Sequence, residues 1–117
     1  MAADRELAGL AQLSTPWQPA VLSLVQLACA GGLARDRPVG VCGEAAADPA
    51  LAPVLVGLGV TSLSMTARAL PDVGAVLASV TLEECRSLAA LALAQRTADE
   101  ARSAVRASLP ALDDLGL

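Results

Sequence analysis

Val39-Gly40-Val41-Cys42-Gly43-Glu44-Ala45-Ala46-Ala47-Asp48 is the stretch on which the fold turns. A short β-branched run sits between Pro38 and Gly43, which predicts a strand over 39–42. Asp48 followed by Pro49 is a helix-start signal, and the helix it opens runs to about Leu58, where Gly57 and Gly59 stop it. Val60 to Met65 (V-T-S-L-S-M) predicts a second strand, 60–65. Upstream, Val21, Leu24, Val25 and Ala28 fall at helical spacing and Pro19 at the first turn, predicting a helix over Gln18 to Ala34. Downstream, Pro71 opens a helix ending near Ser79. Thr81 with Glu84, and Thr97 with Glu100, have capping-box spacing and predict helices over about 82–95 and 98–108. Residues 110–117, with Pro110 and Asp113-Asp114, read as a frayed tail behind a unit spanning 1–109.

Helix–strand–helix–strand–helix is the alternation of a parallel α/β sheet. Two parallel strands with four to five helices cannot complete one. Both edges would be unpaired, and parallel sheets are normally covered on both faces. The chain is therefore expected to be an arc of a larger barrel. This also accounts for 55% apolar residues and a mean hydropathy of +0.57 in 117 residues.

Composition excludes several function classes. With 55% apolar and 17% charged residues the chain is not disordered. The apolar heart of its long uncharged stretch, Ala20 to Ala30, is about half the roughly 20 residues of a membrane span, and Pro49–Ala67 contains prolines and glycines, so membrane insertion is not expected. A net charge of −4 and a lone aromatic, Trp17, leave neither a basic surface nor stacking platforms, which argues against nucleic acid as a partner. The absence of His removes imidazole ligands, a Ser-His-Asp triad and a phosphohistidine. Lys, Asn, Ile, Phe and Tyr are also absent, all residues with AT-rich codons, so a GC-rich genome is the expected source. Cys29, Cys42 and Cys85 show no C-x-x-C spacing, against a disulfide scaffold or structural zinc and in favour of a reducing cytosol. Met1 is followed by Asp4, Arg5 and Glu6, unlike a secretory leader.

The string from Val39 to Asp48 resembles the V-G-M-C-G-E-M-A-G-D segment of the phosphoenolpyruvate (PEP)–protein phosphotransferases, enzyme I of the sugar phosphotransferase system. Ala2-Ala3-Asp4-Arg5 is similar to the A-A-D-R that ends strand six of that family's barrel, and Pro19-Ala20-Val21-Leu22 to the P-A-V-L opening the next helix. Val56-Gly57-Leu58-Gly59 and Leu63-Ser64-Met65 resemble the L-G-L-G and F-S-M around strand eight. Glu6, Leu7, Ala47 and Leu63 depart from the family pattern. Pyruvate phosphate dikinase and PEP synthase share a similar C-G-E loop but resemble the chain less. The resemblance implies the C-terminal arc of a (β/α)8 TIM barrel, carrying strands seven and eight.

It also implies chemistry. Residues at the carboxyl ends of barrel strands build the active site. An ordinary thiol, titrating at about 8.5, carries a proton at neutral pH and can deliver it to carbon. On spacing alone Cys42 reads as a small buried hydrophobe. The resemblance instead makes it the acid that protonates the enolate of pyruvate once PEP has given up its phosphoryl group. Arg5 falls where one arginine of the PEP clamp stands, its alternative being a solvated charge. Gly43 lets the backbone approach a ligand and Glu44 orients a neighbouring group or is a surface carboxylate. Cys29 and Cys85 read as packing residues, Asp48 as a helix cap and Trp17 as packing under a loop. Mg²⁺ is implied for the parent, on carboxylates of earlier strands not in this chain. The implied partners are PEP and pyruvate, a phosphocarrier protein reached through a histidine domain elsewhere, and a second copy in a homodimer. The isolated chain is expected to be inactive. The competing reading is a non-enzymatic assembly module; a third is a small Ala-rich helical domain in which the C-G-E string is coincidence.

Overall fold

The computed structural model describes residues 16–117. Its order is α1 (Pro19–Ala34), β1 (Gly40–Cys42), α2 (Glu44–Ala47), α3 (Leu51–Leu58), β2 (Ser62–Ser64), α4 (Leu70–Ala78), α5 (Leu82–Leu93), α6 (Ala98–Ala107) and α7 (Pro110–Asp114). The chain is α/β, mostly helical, with one two-stranded parallel sheet among the described residues. The register pairs Gly40 with Ser62, Val41 with Leu63 and Cys42 with Ser64. Flanking bonds extend the pairing by a residue at each end: Thr61 N–H donates to Val39 O (2.9 Å) and Gly43 N–H to Ser64 O (3.1 Å). Adjacent parallel strands at this string exclude the purely helical reading.

The strands alternate. Val41 and Leu63 turn toward the helices and pack on the core, joined by Val39. Gly40, Cys42, Ser62 and Ser64 are exposed on the other side. Small and polar residues thus occupy the open face and branched aliphatics the covered one, as a period of two dictates.

α3 is the centre. Leu51, Ala52, Pro53, Val54, Leu55 and Leu58 are all buried, so the helix is apolar nearly all round and neighbours surround it. It packs on α1, α2 and α4, and most extensively on α5. That last crossing is close because position 57 is glycine: a Cβ there would collide with the Cys85 carbonyl. Pro53 is harmless in the first turn, where its missing N–H had no intrahelical acceptor. Trp17 is buried and donates from Nε1 to Asp48 Oδ2 (3.0 Å), while Asp48 Oδ1 accepts from Ala50 N (3.0 Å) and Leu51 N (3.4 Å). One carboxylate therefore caps the entry to α3 and ties it to the segment before α1. α5 starts with a complete capping box, Glu84 N to Thr81 Oγ1 (3.1 Å) and Thr81 N to Glu84 Oε1 (3.2 Å). Thr97 Oγ1 likewise accepts from Glu100 N (3.1 Å) at α6.

Two helices were not expected. α2 is a single turn following the Gly43 bend. α7 corrects the reading of 110–117 as frayed. Pro110 stands in its first turn, Leu109 and Leu112 are buried in the core, and Arg106 Nη2 donates to Leu117 O (2.6 Å). The apolar pair outweighs Asp113 and Asp114, which sit unfavourably at the negative end of a helix dipole.

Candidate active site

The candidate site is built at the carboxyl end of β1. The strand carries Cys42 to its last position, and the alternation puts it on the open face, exposed, level with Ser64. Gly43 then turns the chain at φ 85°, ψ −153°, a conformation essentially confined to glycine. Its N–H is held by Ser64 O, and its carbonyl accepts from Ala47 N (3.2 Å). Both backbone groups are therefore committed, and what Gly43 offers a ligand is room: nothing lies within 4 Å of where its Cβ would be. Glu44, exposed, opens α2 two residues after the thiol.

The structure therefore brings Cys42, Gly43 and Glu44 together at one strand end. Arg5 lies outside the described residues. The thiol faces solvent and the small side chains of the sheet floor, whereas Cys29 and Cys85 are buried. Burial pushes both of those thiols up, helped at Cys85 by the neighbouring Glu84 charge. With no His or Lys in the chain, no imidazolium or lysine ammonium of its own can stand beside Cys42. Among the described residues no three Cys, Asp or Glu side chains gather into a group that could hold a metal ion, so these residues do not fit an Mg²⁺ site.

A cavity of about 350 Å³ lies away from this site, where Val39 and Thr61 lead into the strands; Cys29, Leu33, Arg37 and Leu58 also line it. A second, about 310 Å³, runs beside β2 and is lined by Val60, Leu63, Met65, Leu70 and Leu77. Neither is lined by Cys42. Among the described residues no helix is long and apolar enough to cross a membrane.

Ser62 and Ser64 share the thiol's face, and the signal for this in the sequence is the alternation Ser62-Leu63-Ser64-Met65.

Comparison with known proteins identifies relatives of the chain. The chain is 55% identical over 108 residues to the PEP–protein phosphotransferase of Streptomyces coelicolor, covering 92% of the chain and 19% of that protein. It is 41% identical over 100 residues to the enzyme of the same name from Mycoplasma genitalium, covering 86% of the chain and 17% of that protein. It is also 41% identical over 103 residues to a multiphosphoryl transfer protein of Xanthomonas campestris, covering 88% of the chain and 12% of that protein. The chain thus spans about a fifth or less of each of these relatives. Residues 1–82 match the family described as PEP-utilising enzyme, PEP-binding domain, and the chain belongs to that family.

Proposed function

We propose that this chain forms strands seven and eight of the (β/α)8 barrel of a PEP–protein phosphotransferase. In that protein PEP gives its phosphoryl group to a histidine on another domain, and Cys42 protonates the resulting enolate to release pyruvate. The observation that carries the reading is the position of the thiol: last in its strand, exposed on the open face, and followed by a glycine-only turn. Active sites of such barrels stand at the carboxyl ends of their parallel strands, and Cys42 is the last residue of its strand. The sheet supports the barrel, because its helices cover one face and leave both edges and the small-residue face open for further strands.

In this reading Arg5 clamps the phosphate or carboxylate of PEP, Gly43 gives the substrate clearance, and Glu44 orients a neighbouring group. Any Mg²⁺ would neutralise charge on PEP and would be held by residues outside this chain. Alone, the chain lacks the remaining clamp and the histidine, and it does not turn over. The protein works in the cytoplasm with a phosphocarrier protein as acceptor and pairs with a second copy of itself.

The test is Cys42→Ala in the whole phosphotransferase. Pyruvate release falls at least about a hundredfold, the usual contribution of a positioned acid. An unchanged rate refutes the assignment of the acid.

A further inference from the structure

We propose that Ser64 is a positioning residue for Cys42: its hydroxyl donates a hydrogen bond to the thiolate that remains after the thiol has given up its proton. The two residues are register partners at the ends of adjacent strands. Both are exposed and both point to the open face, since each strand alternates exposed, half-buried, exposed. The bond from Gly43 N to Ser64 O (3.1 Å) clamps the strand ends just beyond the pair, so the register cannot slip. Neighbouring strands lie about 4.7–4.9 Å apart, a gap that a hydroxyl and a thiol bridge by side-chain rotation. One row below, Ser62 Oγ leans over β1, 2.8 Å from where a Gly40 Cβ would stand. A serine hydroxyl on this face can therefore reach the neighbouring strand.

The chemistry calls for such a donor. The S–H bond breaks, and its proton joins the enolate's methylene carbon through the C=C electron pair. The enolate oxygen becomes the pyruvate carbonyl, and sulfur is left as thiolate until water returns a proton and releases hydroxide. The elements packed most closely on β1 are β2 and α2. β2 carries no charge, and the one titratable residue of α2 is Glu44, which opposes a thiolate. Ser64 supplies the compensating dipole.

The inference rests on Cys42 being the acid, but its test reads the thiol itself. Iodoacetamide alkylation of Cys42 is followed against pH by peptide mass spectrometry in the 117-residue chain, in Ser64→Ala and in Ser64→Thr. Losing a hydrogen bond to the charged form raises the midpoint by roughly half a pH unit to one unit in Ser64→Ala, a rate about three- to tenfold lower at the foot of the profile. Ser64→Thr keeps the original midpoint, and so does Ser62→Ala. Superimposable profiles for Ser64→Ala and the parent chain overturn the proposal, as does an equal shift in Ser62→Ala. Should Ser64→Ala lose its circular dichroism, the isosteric pair Ser64→Thr and Ser64→Val carries the same comparison. A phosphotransferase indifferent to Cys42→Ala would sink the proposed function and leave this thiol measurement standing.

Discussion

Gly43 is the residue on which the local geometry of the candidate site depends. At φ 85°, ψ −153° a side chain is strained although the space around it is empty, so the cost of substitution is purely conformational. Gly43→Ala is expected to lower unfolding free energy by about 1–3 kcal/mol in chemical denaturation, with no cavity or clash to blame. The three cysteines divide by environment. Cys29 and Cys85 hold their protons more tightly folded than unfolded, because burial disfavours the thiolate. Their contribution to stability is complete below the ordinary thiol range and is lost as pH rises through their raised values. With neither Lys nor Tyr in the chain, no other side chain titrates alongside the thiols in this range. The denaturation midpoint should therefore hold level up to about pH 8.5 and fall above it, a fall that Cys29→Ala with Cys85→Ala flattens.

Among elements, the crossing of α3 and α5 holds the molecule together, and it depends on the missing side chain at position 57. Gly57→Val places carbon against the Cys85 carbonyl and the Arg86 amide, backbone atoms that cannot step aside. It is expected to lower stability by about 1–3 kcal/mol or more in urea titration, and a neutral result would mean that the helices are not in contact there. The capping box at Thr81 and the cap at Thr97 are legible because Thr-x-x-Glu satisfies helix-end donors within four residues, although Glu100 Oε2 accepts from Arg96 N and leaves the second box incomplete. Strand ends were less so: the expected 39–42 and 60–65 shorten to Gly40–Cys42 and Ser62–Ser64 because pairing requires a partner opposite each residue.

For the whole molecule, α1 is the exposed problem. No charged residue occurs between Pro19 and Ala34; Leu22 and Cys29 are buried, yet Leu24 and Leu27 are 65% and 68% exposed, and Leu33 is 82% exposed. A helix apolar on both sides needs a neighbour on both. The 117-residue chain is expected to self-associate in light scattering, and Leu24→Glu with Leu27→Glu to shift it toward monomer. A compact monomer for the unaltered chain would contradict this.

The amino-acid sequence by itself determined what rests on near neighbours: the helix starts, the two strands, the glycine turn after the thiol and the family. It placed Cys42, Gly43 and Glu44 together because they are consecutive. Only the tertiary structure decided what depends on distant residues meeting. Trp17 reaches Asp48 across 31 positions, Leu109 and Leu112 convert an acidic end into a helix, and Ser64 comes level with Cys42 through strand register. Those outcomes follow from burial and pairing summed over the fold, and no local pattern of residue types encodes such a sum.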